Sequence, residues 1–130
     1  MSKKSHPDTV LVIDDDPDLR TLISTIGEMC GVRVIEAPDC DNALKLLDSE
    51  RHRVKLILLD YFMPGMAPAE CASAIVSEAA STIPVVLLTA AFDPAARAAE
   101  LNLSHWISKP FEVSEVIDLV TQTPVFSRRP

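Results

Sequence analysis

The chain has 130 residues and a formal net charge of −7, a length that fits one globular domain and is too short for two. No apolar run approaches the roughly 20 residues that span a membrane, and the N-terminal residues lack the apolar stretch of a signal peptide. We therefore expect a cytoplasmic protein with no membrane partner. The excess of negative charge also argues against direct binding of nucleic acid, because phosphate backbones require a basic surface.

The chain has three cysteines, Cys30, Cys40 and Cys71, without C-x-x-C spacing. An odd number with this spacing indicates neither a disulfide framework nor a zinc site. Buried cysteines pack as small apolar groups. We therefore expect free, buried thiols in a reducing compartment.

The first predicted elements are a strand and a helix. Val10–Ile13 is a continuous apolar run, which is typical of a parallel strand covered on both faces. In the helix that follows, Asp16 is the expected N-cap, Pro17 occupies the first helical position and Gly31 follows the last turn. The apolar face of this helix consists of Leu19, Leu22, Ile23, Ile26, Met29 and Cys30.

The rest of the chain repeats this alternation. Further strands are predicted at Arg33–Glu36, Leu56–Leu59, Val85–Leu88 and His105–Ser108. Further helices are predicted around Ala43–Leu47, over Ala69–Ala80, from Asp93 to near Asn102, and over Val113–Gln122. The order βαβαβαβαβα predicts an α/β fold with one doubly wound, five-stranded parallel sheet. We expect one domain over residues 9–122, a flexible N-terminus over residues 1–8 and a loose tail over residues 123–130.

Polar residues follow four of the predicted strands. They are Asp14–Asp16 after the first, Asp60 after the third, Thr89 after the fourth and Lys109 after the fifth. The carboxyl ends of parallel strands meet at one edge of the sheet, where such folds bind ligands, so these groups should converge. Crowded carboxylates repel one another, and a divalent cation resolves that conflict. Mg²⁺ prefers oxygen ligands and takes one or two carboxylates together with a phosphate oxygen.

Each of these residues also has an ordinary structural explanation. An aspartate run before a helix is usually a solvated cap, as expected for Asp16, and Asp60 precedes a Pro-Gly turn where aspartate is common. Thr89 would simply end a strand, and Lys109 would lie on the surface. Complementary chemistry at four strand ends favours a shared site over four separate explanations.

Four segments resemble the signature blocks of the receiver domains of two-component signalling, in the order and at the spacing of that family. They are Val12–Asp15, Leu58–Pro64, Leu88–Ala90 and Lys109–Phe111. The similarity extends over Thr9–Gln122. It implies a flavodoxin-like (βα)₅ fold with strand order 2-1-3-4-5. It also implies phosphorylation by a sensor histidine kinase or a histidine phosphotransfer protein, followed by a switch of the surface formed by the fourth helix, fifth strand and fifth helix.

The resemblance also implies a metal site around the phosphoacceptor. Asp60 would accept the phosphoryl group and contribute to Mg²⁺ binding. Asp15 would bind the metal directly and Asp14 through water, and the main-chain carbonyl of Phe62 would add a further ligand.

The remaining family positions concern the switch. Lys109 would pair with the phosphoryl group, and a cis bond is expected between Lys109 and Pro110. Thr89 would be the switch hydroxyl, and Trp106, three residues before the lysine, would be the switch aromatic residue.

The chain departs from the family after the third strand, where Ala67 and Pro68 replace the usual Asp-Gly. We expect an altered turn in which Pro68 opens the third helix, with the site intact. Asn102 replaces a usual glycine, and asparagine tolerates the left-handed conformation required there.

Two other functions fit the residues less well. A receiver-like module that only binds a partner would not require the full set of phosphorylation-site residues. That set is Asp14, Asp15, Asp60, Thr89 and Lys109. A phosphotransferase or phosphatase for small molecules would require a general acid two residues after its nucleophile. If Asp60 is the nucleophile, that position is occupied by Phe62, which is not an acid. If Asp14 is the nucleophile, Asp16 would have to serve both as the helix cap and as the acid. The sequence specifies neither the kinase nor the downstream partner.

Overall fold

The computed structural model describes residues 9–80 and 82–122, so the predicted flexible N-terminus and C-terminal tail lie outside the described residues. The described strands form one parallel sheet in the order β2-β1-β3-β4-β5. Their bounds are β1 Thr9–Ile13, β2 Arg33–Ala37, β3 Val54–Asp60, β4 Val85–Thr89 and β5 His105–Ser108. The inner strands β1 and β4 are buried along their whole length, as their continuous apolar runs predicted.

Five α-helices cover the two faces of this sheet. They are α1 Pro17–Met29, α2 Cys40–Glu50, α3 Pro68–Ala79, α4 Pro94–Glu100 and α5 Val113–Gln122. The helices α1 and α5 bury side chains on one face, and α2, α3 and α4 on the other. This arrangement confirms the doubly wound α/β fold. None of the helices in the described residues is long and apolar enough to cross a bilayer.

Three of the helices begin at an aspartate that caps them. The side chains of Asp16, Asp39 and Asp93 accept hydrogen bonds from backbone N–H groups of the first turns of α1, α2 and α4. The helix α3 differs, because its N-cap residue Ala67 offers no side-chain acceptor and Pro68 opens the helix. An aspartate or serine at such a position typically stabilises a helix by about 1 kcal/mol.

The helix ends show where local patterns predict well and where they do not. Asn102 has a φ of 60°, as the left-handed turn after α4 predicted. Ala80 also has a positive φ, 53°. This left-handed conformation was not predicted, because the position holds neither glycine nor asparagine. The predicted apolar face of α1 is wider than the buried stripe, because Leu22 and Met29 lie on its flanks and are 41% and 71% exposed.

The prediction of three free, buried thiols is wrong. Cys40 and Cys71 form a disulfide with a Cα–Cα distance of 5.9 Å, and Cys30 is free and half-buried. Cys40 is the first residue of α2 and Cys71 lies in the first turn of α3. These two helices pack side by side on one face of the sheet, so the fold brings together two cysteines that are 31 positions apart.

Candidate functional site

Three carboxylates meet at the carboxyl edge of the sheet, as predicted. Asp14 directly follows β1, and Asp60 is the last residue of β3. One carboxylate oxygen from each of Asp14, Asp15 and Asp60 lies within 4.8 Å of the other two. Asp14 and Asp60 are buried, whereas Asp15 is exposed. The cluster therefore has a buried floor and a side open to solvent.

Lys109 reaches into this cluster from the end of β5. Its Nζ donates to Asp14 Oδ2 at 2.8 Å and to Asp60 Oδ1 at 3.0 Å. The backbone N–H of Lys109 donates to the carbonyl of Thr89 at 2.8 Å, which fixes the residue beside β4. The Lys109–Pro110 bond is cis, as expected.

Asp14 is held by both its backbone and its side chain. Its N–H donates to the carbonyl of Ala37 at 3.1 Å, and its Oδ1 accepts from the N–H of Asp16 at 2.9 Å. Its carbonyl accepts from the guanidinium of Arg20 at 2.8 Å, and Arg20 also pairs with Glu36 at 3.1 Å. No pattern in the sequence indicated Arg20 and Glu36, since their pairing depends on how α1 lies over β2.

The electrostatics of the cluster leave it short of positive charge. Burial, together with the negative charge of Asp14, raises the pKa of Asp60 from 3.8 to about 6, although Lys109 opposes the shift. Burial by itself would lower the pKa of Lys109, but hydrogen bonds and charges from Asp14 and Asp60 raise it overall. One ammonium group does not compensate three carboxylates, so a further cation would favour the fully ionised cluster.

The two predicted switch residues lie on neighbouring strands. Thr89 is buried at the end of β4, and its Oγ1 accepts from the N–H of Ala91 at 3.0 Å. Trp106 on β5 is half-buried and is the register partner of Leu87. Because Thr89 is two residues beyond Leu87 on the same strand, the Thr89 side chain faces the same side of the sheet as Trp106.

The residues directly after Asp60 contact α4. The Tyr61 hydroxyl hydrogen-bonds to Glu100 Oε1 at 3.0 Å, and the guanidinium carbon of Arg97 lies 5.8 Å from the Tyr61 ring centroid. Phe62 is exposed and packs edge-on against Tyr61, with 4.7 Å between the ring centroids. The contacts of Tyr61 with α4 were not predicted, because the sequence does not show which helix lies beside this loop.

Comparison with known proteins agrees with this geometry. The family model of the response regulator receiver domain matches residues 10–121. An uncharacterized 14.6 kDa protein of Leptolyngbya boryana is 36% identical over 116 residues, which cover 87% of each chain. The phosphate regulon transcriptional regulatory protein PhoB of Pseudomonas aeruginosa is 30% identical over 112 residues, 84% of this chain and 48% of that protein.

Solved structures show the same architecture. The response regulator protein TrrA of Thermotoga maritima, in complex with Mg²⁺-BeF, is 26% identical with a TM-score of 0.74, over 87% of this chain and 96% of that one. The present chain spans about half the length of the transcriptional regulators it matches. The match of the family model to most of the chain, together with the strand order and the acidic cluster, shows that this chain belongs to the response-regulator receiver domain family of two-component signalling.

Proposed function

We propose that residues 9–122 form a receiver domain in which Asp60 accepts a phosphoryl group in the presence of Mg²⁺. The observation that carries the proposal is the convergence of Asp14, Asp15 and Asp60 within 4.8 Å of one another, with Lys109 bonded to two of them. Membership of the family supports the same function.

The donor set fits Mg²⁺. It consists of oxygen ligands, is partly buried and carries more negative charge than Lys109 compensates, which are the conditions that favour a hard divalent cation. Asp14, Asp15, Asp60 and the main-chain carbonyl of Phe62 would hold the ion. When bound, Mg²⁺ supplies positive charge beside the phosphoryl oxygens.

The residues of the chain have separate tasks in the transfer. An ionised oxygen of Asp60 attacks the phosphorus atom of a phosphohistidine; a P–O bond forms as the P–N bond breaks, and the product is an acyl phosphate. The ammonium of Lys109, already fixed beside Asp60, stabilises charge on the phosphoryl oxygens. The Thr89 hydroxyl donates a hydrogen bond to one of those oxygens and thereby signals the phosphorylated state.

The phosphodonor in this proposal is a sensor histidine kinase or a histidine phosphotransfer protein in the cytoplasm. The domain catalyses only its own phosphorylation and the slow hydrolysis of its acyl phosphate. Phosphorylation switches the surface formed by α4, β5 and α5 through Thr89 and Trp106, and an unidentified downstream protein reads that surface. The net charge of −7 argues against direct DNA binding by this domain.

Phosphorylation by a small donor tests the proposal directly. With Mg²⁺ and acetyl phosphate, intact-protein mass spectrometry should show the gain of one phosphoryl group, and Asp60→Asn should abolish it. Asp48→Asn, on the exposed side of α2, is the matched control and should be labelled like the wild type. Undiminished labelling of Asp60→Asn would refute the assignment of the phosphoacceptor.

A further inference from the structure

We propose that the Cys40–Cys71 disulfide is a reversible redox site that tunes the affinity of the acidic cluster for Mg²⁺. In the oxidised form, the bond holds the segment after Asp60 in place, and reduction releases it. The inference rests on the proposed metal site, and it adds a second chemical input to that site.

The disulfide joins two segments that border the acidic cluster. On one side, Cys40 begins α2 three residues after Ala37, whose carbonyl accepts the N–H of Asp14. On the other side, Cys71 lies one turn into α3 and its N–H donates to the carbonyl of Ala67 at 2.9 Å. The bond therefore connects two segments. One is the segment after β2 that accepts the Asp14 N–H, and the other is α3, which follows the loop after Asp60.

Cys40 of the disulfide and Asp15 of the acidic cluster also line the same cavity. This cavity has a volume of about 460 Å³ and is lined by Asp15, by residues 38–41 including Cys40, and by residues 64–66. Both sulfur-bearing residues are otherwise buried, with exposures of 4% for Cys40 and 2% for Cys71. Because Cys40 and Asp15 both line this cavity, a small thiol would approach the bond from the Cys40 side, next to a carboxylate of the proposed metal site.

The start of α3 is the helix start that this bond supports. The helices α1, α2 and α4 have an aspartate cap, whereas α3 starts at Ala67 without a side-chain hydrogen bond. The disulfide ties this uncapped helix start to the start of α2, which Asp39 caps at 2.8 Å. Without the bond, the first turn of α3 and the loop before it lose their covalent link to the start of α2.

The loop between β3 and α3 contains Phe62, whose carbonyl is a proposed metal ligand. A mobile loop must be ordered when the metal binds, and the entropy lost in that ordering weakens binding. Reduction should therefore lower the affinity for Mg²⁺. In the reducing compartment expected for this protein, disulfides are rare and those present are usually catalytic or redox-sensing.

The redox step is ordinary thiol–disulfide exchange with a dithiol reductant. One reductant thiolate attacks a sulfur of the bridge, a mixed disulfide forms, and the other cysteine leaves as a thiolate that takes up a proton. The second reductant thiol then displaces the remaining cysteine. Two electrons and two protons reach the protein, and the reductant leaves as a disulfide.

Calorimetric titration of Mg²⁺ into the oxidised and the reduced protein tests the inference. Thiol counting defines the two states, with one free thiol in the oxidised form and three in the reduced form. We expect reduction to weaken Mg²⁺ binding by about fivefold or more, the lower end of typical coupling between two sites. Cys30→Ser is the matched control and should keep the full difference.

Two further variants separate the redox effect from a general loss of structure. The double variant Cys40→Ala/Cys71→Ala should bind Mg²⁺ with the affinity of the reduced wild type under both conditions. Ala67→Ser supplies a neutral N-cap to α3, and it should bring the reduced protein closer to the affinity of the oxidised protein.

The inference is overturned if the oxidised and reduced wild type bind Mg²⁺ equally, or if the wild type still shows three thiols after incubation with a disulfide oxidant such as oxidised glutathione. It is also overturned if Ala67→Ser leaves the deficit of the reduced form unchanged, because the effect would then not pass through the start of α3. Failure of the oxidised wild type to bind Mg²⁺ at all would instead refute the proposed metal site.

Discussion

At the residue scale, the burial of Asp60 sets how the site responds to pH. The pKa of this carboxyl rises from 3.8 to about 6, first because of burial and then because of Asp14. Since the folded-state pKa exceeds the unfolded value, the Asp60 proton stabilises the fold at low pH, and this stabilisation is lost as the pH rises through about 6. A shift of this size corresponds to about 3 kcal/mol of stability.

This shift predicts a pH-dependent affinity for Mg²⁺. At the proposed site the ion must displace the Asp60 proton, so the affinity should be constant above about pH 7 and fall roughly tenfold per unit below about pH 6. Calorimetric titrations across this range measure the slope. Asp60→Asn should bind Mg²⁺ more weakly and without that slope. A wild-type affinity that does not change across the range would contradict either the raised pKa or the role of Asp60 as a ligand.

The residues of the site were predictable from the sequence where chain order alone determines their position. Asp14, Asp60 and Lys109 were predicted because each stands at the end of a strand, and parallel strands end at one edge. The support of Asp14 by Arg20 and Glu36 was not predicted, because it depends on the angle and depth at which α1 lies on the sheet. The pairing of Cys40 with Cys71 was missed because it depends on how α2 and α3 pack side by side on the sheet.

At the element scale, the contact between α1 and β2 depends on one glycine. Gly27 is buried in the interior of α1, and a Cβ added there would overlap the Val34 side chain and lie 3.0 Å from the carbonyl oxygen of Val32. Alanine normally stabilises a helix interior relative to glycine by about 1 kcal/mol. Here the overlap forces α1 away from β2, and overpacking of a core typically costs about 1–3 kcal/mol.

We therefore expect Gly27→Ala to lower the free energy of unfolding by about 1–2 kcal/mol, because overpacking exceeds the gain in helix propensity. Denaturant-induced unfolding at neutral pH measures the change. Thr25→Ala, at an exposed position of the same helix, is the control and should raise stability slightly, by no more than about 0.7 kcal/mol through helix propensity alone. A more stable Gly27→Ala variant would contradict this prediction, because it would show that β2 moves aside without loss of stability.

The link between the β3–α3 loop and α4 has its own spectroscopic probe. Tyr61 is the only tyrosine in the chain. Burial raises its pKa above 10.0, and the hydrogen bond and negative charge of Glu100 raise it further. In Glu100→Gln the negative charge is absent, so the phenol should ionise at lower pH than in the wild type.

An absorbance titration of the phenol measures this difference directly. Glu78→Gln on α3 is the matched control, since Glu78 pairs with Arg51 and not with Tyr61. It should titrate like the wild type. Identical titrations of Glu100→Gln and the wild type would mean that Tyr61 and Glu100 do not interact in solution.

The strands were easier to predict from the sequence than the helix ends. The inner strands are buried on both faces, so they read as apolar runs that no solvent-facing residue interrupts. The end of α3 at Ala80, by contrast, takes a left-handed conformation that the packing of the chain imposes against the preference of alanine. Local sequence predicts an element correctly where the pattern of its own residues determines the structure. It fails where contacts with other elements determine the structure.

At the scale of the whole molecule, the sheet connects the acidic cluster to the surface of α4, β5 and α5. Thr89 borders the cluster at the end of β4, and Trp106 lies on the adjacent strand β5, half-buried against the hydrophobic cluster under α2, α3 and α4. Two populations of the domain that differ in the position of the Thr89 hydroxyl would therefore differ in the space available to Trp106. A phosphoryl group biases such an equilibrium only through contacts that differ between the two states.

The fluorescence of Trp106 tests this connection, because it is the only tryptophan in the chain. Beryllofluoride with Mg²⁺ stands in for the phosphoryl group that Asp60 is proposed to accept. It should draw the Thr89 hydroxyl away from the N–H of Ala91, and the indole should move into the space that Thr89 leaves. We expect the emission maximum to shift to shorter wavelength, since the ring exchanges solvent for apolar packing.

The control variants decide whether the shift passes through the switch hydroxyl. Thr89→Ala should abolish the shift while beryllofluoride still binds, whereas Thr25→Ala on α1 should shift like the wild type. Binding is followed independently through the fluorine resonances of the bound ligand. If beryllofluoride binds the wild type and the emission does not move, Trp106 is not the switch residue.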